Sequence, residues 1–290
     1  MSYKSILRSD AFSKQNIIVT GGGSGIGRCT AHELASLGAH VLLVGRNQEK
    51  LENVQAEIIE DGGKSSFACC DIRDEDGVKD LVSGLIDQHG HIQGLVNNAG
   101  GQFPSPLANI SKNGWDAVVN SNLTGGFLMA REVFNQSMEE NGGSIVNIVA
   151  DMWAGMPGMG HSGAARAGMV NFTQTAAYEW GYAGVRVNAV APGWIASSGM
   201  DTYPDKFKAI LKTLKNAVPL GRLGNEAEIS AAICFLLSDA ANFISGTTIR
   251  VDGAASQGNT AIYPLQKGGK STAYDGFHRE VKAELFKGEK

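Results

Sequence analysis

Eight residues near the start of the chain narrow its folding options more than any others: Thr20-Gly21-Gly22-Gly23-Ser24-Gly25-Ile26-Gly27. They follow the apolar run Ile17-Ile18-Val19 and precede a stretch of helical periodicity. The chain must therefore leave a buried strand, turn on glycine and enter a helix almost at once. The rest of the sequence keeps that alternation. It predicts strands over 16–20, 40–44, 66–70, 94–97, 144–149, 185–190 and 248–251, and helices over 25–37, 48–60, 74–88, 115–139, 163–180 and 227–237. Strands that alternate with helices pair in parallel through right-handed crossovers. Such strands are covered on both faces, which fits uninterrupted apolar runs. The expected fold class is α/β, a Rossmann-type doubly wound parallel sheet in one domain over 1–290, with its core at 13–253.

Two segments break the rhythm. Residues 194–222 form an insertion after the sixth strand, and 258–290 form a polar tail. In the insertion, Phe207, Ile210, Leu211 and Leu214 share one helical face, with Lys206, Lys208, Lys212 and Lys215 turned away from it. In the tail, Phe277, Val281 and Leu285 recur at fours and predict a short amphipathic turn that docks on the body or on a neighbour.

At 290 residues and 43% hydrophobic, the chain can bury a core without metal or disulfide. Cys29, Cys69, Cys70 and Cys234 match no zinc spacing and read as reduced thiols. A net charge of -4 gives no reason to expect nucleic-acid binding. No apolar run approaches the roughly 18 residues a membrane span needs, and Met1 to Gln15 has no signal-peptide pattern. A cytoplasmic enzyme is expected.

A glycine-rich turn between a strand and a helix is the structural context of a dinucleotide site. Gly21 allows the tight turn, Gly25 and Gly27 let backbone approach a pyrophosphate, and free amides of the helix start at Gly23, Ser24, Gly25 and Ile26 face its oxygens. The second strand ends Val44-Gly45-Arg46, where NAD readers carry an acid for the ribose. Arg46 instead suits a 2′-phosphate, so the expected cofactor is NADP(H), with Arg28 a lesser contributor.

The glycine loop, Asp71-Ile72, Asn97-Asn98-Ala99-Gly100, Asn122-Leu-Thr-Gly125 and Pro192-Gly193 stand in one order and spacing. Together they resemble the short-chain dehydrogenase/reductase superfamily over residues 13–253. The resemblance implies the strand order 3-2-1-4-5-6-7. It also implies that Asp71 and Ile72 lie near adenine, that Asn98, Ala99 and Gly100 lie beside the ribose, and that Pro192, Gly193 and Ile195 run along the nicotinamide. It further implies a homodimer or homotetramer built on the fourth and fifth helices.

The catalytic pattern departs from that family, most of whose members use a Ser and then Tyr-x-x-x-Lys. Aligning Arg166-Ala167-Gly168 with the usual Lys-Ala-Gly puts Ser162 at the Tyr, Arg166 at the Lys, and Val149 or Ala150 at the Ser. Only the Asn of the usual tetrad, Asn122, remains. A serine hydroxyl has no accessible pKa and arginine passes no proton, though arginine can hold ribose hydroxyls. The stretch His161 to Gly168, with Gly100-Gly-Gln-Phe103, is similar to peroxisomal trans-2-enoyl-CoA reductases, and the 2,4-dienoyl-CoA reductase branch also carries Ser at the Tyr position. That branch implies an acidic Tyr eleven residues before the Ser, where this chain has Asp151. The enoyl branch's own Tyr falls at Val170. Asp151, Ser162, Arg166 and Asn122 are thus the catalytic candidates, with His161 an alternative acid. Met152, Trp153, Met156 and Met159 lie beside them and would suit a lipid pocket. The leading expectation is NADPH-dependent reduction of an enoyl- or dienoyl-CoA. The alternatives are an alcohol, aldehyde or ketone dehydrogenase of lipid or terpenoid catabolism, and an inactive NADP-binding sensor or scaffold.

Overall fold

Seven strands make one parallel sheet: β1 (Asn16–Thr20), β2 (His40–Gly45), β3 (Lys64–Cys69), β4 (Gly94–Asn97), β5 (Gly143–Ile148), β6 (Val185–Pro192) and β7 (Thr248–Val251). Their order is β3-β2-β1-β4-β5-β6-β7, as the resemblance implies. The computed structural model describes residues 2–202, 208, 210–258, 264–266 and 270–286. Lys206 and Phe207, assigned to the insertion's helix, lie outside the described residues.

The apolar runs serve both faces of the sheet. Ile17 and Val19 pack with Leu43, Val96, Leu34 and Ile233, whereas Ile18 between them packs with Leu42, Leu95, Val82 and Met129 on the other side. Helices α1 (Gly25–Ser36), α2 (Gln48–Glu60) and α8 (Glu226–Leu237) cover the first face. The second is covered by α3 (Glu75–His89), α5 (Gly125–Val133) and α7 (Gly160–Glu179). Strand order reverses at β1, which pairs with β2 on one side and β4 on the other. The crevice beyond the strands' carboxyl ends at that point is where such sheets hold ligands.

Two regions differ from expectation by more than a few residues at an end. The long helix over 115–139 begins earlier, at α4 (Lys112–Val119), because the Ser111 hydroxyl accepts from Gly114 N and caps it. It is also broken by two π-helical turns, Asn120–Thr124 and Phe134–Met138, before ending in α6 (Glu139–Asn141). Asn122 lies in the first widening and donates to Val118 O at 2.7 Å, taking up helix backbone with its side chain. In the tail, residues 277–283 form no helix, and only Glu284–Phe286 makes a 3-10 turn. Tail backbone is committed to the body instead: Arg28 donates to Arg279 O at 3.0 Å, and Lys4 N to Gly276 O at 2.9 Å. Phe277 is buried against Tyr3 and Cys29, and Arg279 grips Asp61. Ala283 is buried against Met200 and Leu211 of the insertion. No helix among the described residues is long and apolar enough to cross a membrane.

Candidate active site

The turn after β1 is shaped by Gly21 (φ +66°) and Gly25 (φ +56°), both in the left-handed region that side chains disfavour. Gly27 is required for a different reason. A Cβ there would stand 2.4 Å from Gly21 O and 2.5 Å from Asn98 Nδ2. Asn98 does more than border a ribose: its amide donates to Thr20 O at 3.0 Å and Gly21 O at 3.4 Å. The Thr20 hydroxyl accepts from the Asn98 and Ala99 amides at 3.0 Å each. These bonds latch the ends of β1 and β4 together and set the turn's height.

Helix α1 is left open at its head. Ser24 caps it with no side-chain hydrogen bond, and no acidic residue lies in its first turn. Three of the others around the sheet are closed: Asn47 caps α2, Asp74 caps α3, and Asn225 with Glu228 forms a capping box on α8, whereas α7, like α1, has neither a side-chain cap nor an acid in its first turn. The unpaired amides and positive end of α1 thus face the crevice.

From there the crevice runs two ways. One branch, about 380 Å³, is lined by Gly21, Arg46, Asp71, Ile72, Arg73 and Gly100, among others. Arg73 forks onto Asp71, with Nε 2.9 Å from Oδ1 and Nη2 2.5 Å from Oδ2. That bond is the main reason the Asp71 carboxyl falls to about 2. Arg46 Nη1 lies 3.9 Å from the same carboxylate, and its side chain is mostly exposed. Arg28 is not available to a phosphate. It pairs with Glu57 at 2.8 and 2.9 Å and sits over the Phe277 ring at 5.0 Å, anchoring the tail.

The other branch, about 660 Å³, holds Gln102, Asp151, Arg166, Pro192, Gly193 and Ile195, with apolar walls from Met156, Met159, Trp194, Met200, Ile210 and Leu214. Ala150 and Val149 line it where the family's Ser would be. Ser162 is fully buried at the head of α7, and its hydroxyl donates to Gln102 Oε1 at 2.7 Å. Gln102, not Ser162, therefore presents this pair to the crevice. Arg166 donates to Ile148 O, its Nε has no partner, and burial lowers its pKa to about 10. No carboxylate among the described residues forms an ion pair with it. Asn122 is buried and closes the loop above Gly100, donating to Gly101 O at 2.7 Å and accepting from Gly101 N at 3.2 Å. A Cβ on Gly100 would stand 2.4 Å from Asn122 Oδ1 and 3.1 Å from Arg166 Nη2. Asp151 lies on the wall; burial first, and the charge of Asp252 second, push its carboxyl pKa up. His161 is buried, its Nδ1 bonded to the Ser162 amide and its ring edge-on to Phe103 at 4.5 Å.

The open head of α1, the close approach of helix to turn that Gly27 permits, and the partnerless Arg166 Nε fit a dinucleotide laid across both branches. Sequence reasoning missed two of the residues involved. Gln102 entered only as part of a similar stretch, and Arg73 was not singled out, although its spacing from Asp71 allows a local fork.

Comparison with known proteins bears on the family of the chain. The family model described as Enoyl-(Acyl carrier protein) reductase matches residues 21–256. A "Probable 2,4-dienoyl-CoA reductase [(2E)-enoyl-CoA-producing]" of Bacillus subtilis is 38% identical over 244 residues, covering 83% of this chain and 96% of that protein. The 3-oxoacyl-[acyl-carrier-protein] reductase FabG of Thermotoga maritima is 34% identical, covering 81% and 95%. Among solved structures, the citronellol catabolism dehydrogenase AtuB of Pseudomonas aeruginosa PAO1 is 64% identical, with a TM-score of 0.80 over 88% of this chain and all of that one.

Proposed function

The chain belongs to the short-chain dehydrogenase/reductase superfamily of NAD(P)-dependent oxidoreductases, and on that premise we propose that it uses NADPH to reduce the C=C bond of an enoyl- or dienoyl-CoA thioester. One observation carries the reading. At the head of α7, where a carbonyl reductase needs a group that exchanges a proton with oxygen, Ser162 is buried against Gln102 and Arg166 is a cation with no ion-pair partner among the described residues. Reduction of a conjugated C=C bond needs something else. Hydride arrives at one carbon, negative charge gathers on the thioester oxygen, and a proton is then delivered to the neighbouring carbon.

When bound, the dinucleotide supplies the hydride. Gly21, Gly23, Ser24, Gly25, Ile26 and Gly27 hold its diphosphate, and Arg46 its 2′-phosphate. Asp71 and Ile72 flank adenine, Asn98, Ala99 and Gly100 border the ribose, and Pro192, Gly193 and Ile195 back the nicotinamide. Arg166 binds the ribose and lends its charge to the developing oxyanion, and the Gln102 amide, oriented by Ser162, donates to the same oxygen. Asn122 holds the Gly100–Gly101 backbone at the height both require. Asp151, protonated to higher pH than an ordinary aspartate, is the acid. The methionine-lined walls suit an acyl chain, with 194–222 as a lid over one catalytic domain. The enzyme acts in the cytoplasm as a homodimer or homotetramer.

The 64% identity to a dehydrogenase of citronellol catabolism favours a second reading, oxidation of an acyclic terpenoid alcohol or reduction of its aldehyde. One assay separates the two. Purified protein with NADPH is offered crotonyl-CoA, a 2,4-dienoyl-CoA and citronellal in turn, and loss of nicotinamide absorbance is followed. Turnover of either thioester supports the leading reading. Turnover confined to the aldehyde rejects it for the second.

A further inference from the structure

We propose that cofactor choice is set by a charge clamp of three residues, Arg46, Asp71 and Arg73, in which Arg73 is the second determinant of 2′-phosphate recognition and Asp71 positions both arginines. The proposal rests on the NADPH reading above. Arg46 follows β2, and Asp71 and Arg73 follow β3, the strand beside it. The Cys70 amide donates to Gly45 O at 2.9 Å, so the two loops leave the sheet as neighbours. All three side chains line the branch that opens beside Gly21. Asp71 Oδ1 accepts from Arg73 N at 3.1 Å and from Nε at 2.9 Å, and Oδ2 accepts from Nη2 at 2.5 Å with Arg46 Nη1 3.9 Å away.

Charge counting gives Arg73 its role. Arg46 and Asp71 alone sum to zero and would offer a phosphate dianion no net attraction. With Arg73 the cluster carries one net positive charge. A guanidinium has five N–H donors in a rigid fork. Arg73 spends Nε and one Nη2 hydrogen on Asp71 and keeps its Nη1 donors. Arg73 therefore adds attraction for the 2′-phosphate of NADPH, a group that NADH lacks.

The test is equilibrium binding of NADPH and NADH to the full chain, read as the ratio of their dissociation constants. Arg73→Ala should reduce the NADPH preference about tenfold or more, because Asp71 is then left opposing the phosphate. Adding Asp71→Asn to that variant should restore most of the preference, since Arg46 then acts unopposed; a weaker hold on adenine would affect both cofactors alike and cancel in the ratio. Arg73→Lys should retain part of it, and rising salt should shrink the wild-type ratio. A wild-type preference that Arg73→Ala leaves unchanged, or that the double variant does not recover, overturns the clamp while leaving the NADPH reading intact. A wild-type protein with no preference overturns both.

Discussion

The heads of α1 and α7 face one crevice and are built by opposite means. At α1 the working groups are backbone amides. Side chains serve it by their absence at Gly21, Gly25 and Gly27 and by the latch of Thr20 and Asn98 behind the turn, and the helix, like α7, has no side-chain cap or acid in its first turn. At α7 the groups proposed to work are side chains: Ser162 through Gln102, and Arg166. A site made of backbone geometry keeps its chemistry while side chains around it change, so it reads as the family's. A site made of side chains takes on a different chemistry when a few are replaced, on an unchanged scaffold. The contrast locates this protein's individuality at α7.

The largest effect should come from breaking the first half. Gly27→Val places its side chain against Gly21 O and the Asn98 amide, neither of which can retreat without unlatching β1 from β4. NADP(H) affinity should fall at least about 100-fold, measured by cofactor fluorescence. Binding that survives would show that the cradle is not the anchor.

Next in size is the proposed acid of the second half. Asp151→Asn should lower kcat about 100-fold and leave NADPH affinity unchanged. A general acid must be protonated, so the wild-type rate should hold at low pH and fall as pH rises through the raised Asp151 value. Removing the Asp252 charge with Asp252→Asn should move that fall to lower pH. A profile that Asp151→Asn leaves intact would transfer the role elsewhere, with His161 next in line.

A smaller loss, about tenfold in kcat, is expected for Ser162→Ala, which removes the hydroxyl that donates to the Gln102 carbonyl and so loosens one restraint on that amide. Because Ser162 touches neither branch directly, NADPH affinity should not move. Equal losses in both quantities would mean that the pair merely supports the helix.

The same contrast explains what the sequence made legible. Strand β4 and helix α2 are found within their predicted bounds because burial on both faces, or on one helical face, leaves a periodic trace. The glycine cradle was readable because its requirement is for a residue type at a spacing. The Ser162–Gln102 bond joins residues 60 apart and leaves no periodic trace. The tail failed in a related way. Its spacing by fours suggested a helix, but tertiary partners such as Arg28 and Asp61 engage its backbone and side chains and hold it in a non-helical path.

The last effect is on stability and not on rate; it tests whether the α1 half is free of side-chain charge, and Glu226 is the exception to look for. It begins α8, is 3% exposed, and its Oε1 stands 3.8 Å from where a Gly25 side chain would begin, directly behind the cradle. Burial, opposed by Arg28 and reinforced by Glu280, pushes its carboxyl up to about 7. The folded value then lies above the unfolded one near 4.5, so the neutral form is the one folding tolerates. Stability linked to this group is fully present below the unfolded value and is lost as pH rises through about 7. Glu226→Gln should abolish that slope and leave the variant the more stable protein at alkaline pH, by at most on the order of 3 kcal/mol. A diphosphate at the head of α1 adds negative charge beside the carboxyl, so wild-type cofactor binding should take up a proton near neutral pH and the variant's should not. Thermal midpoints at about pH 6 and about pH 8.5, with and without NADP(H), check both statements. Parallel pH dependence in the two proteins would mean that the carboxyl is ionised in the fold and that backbone alone governs the cradle.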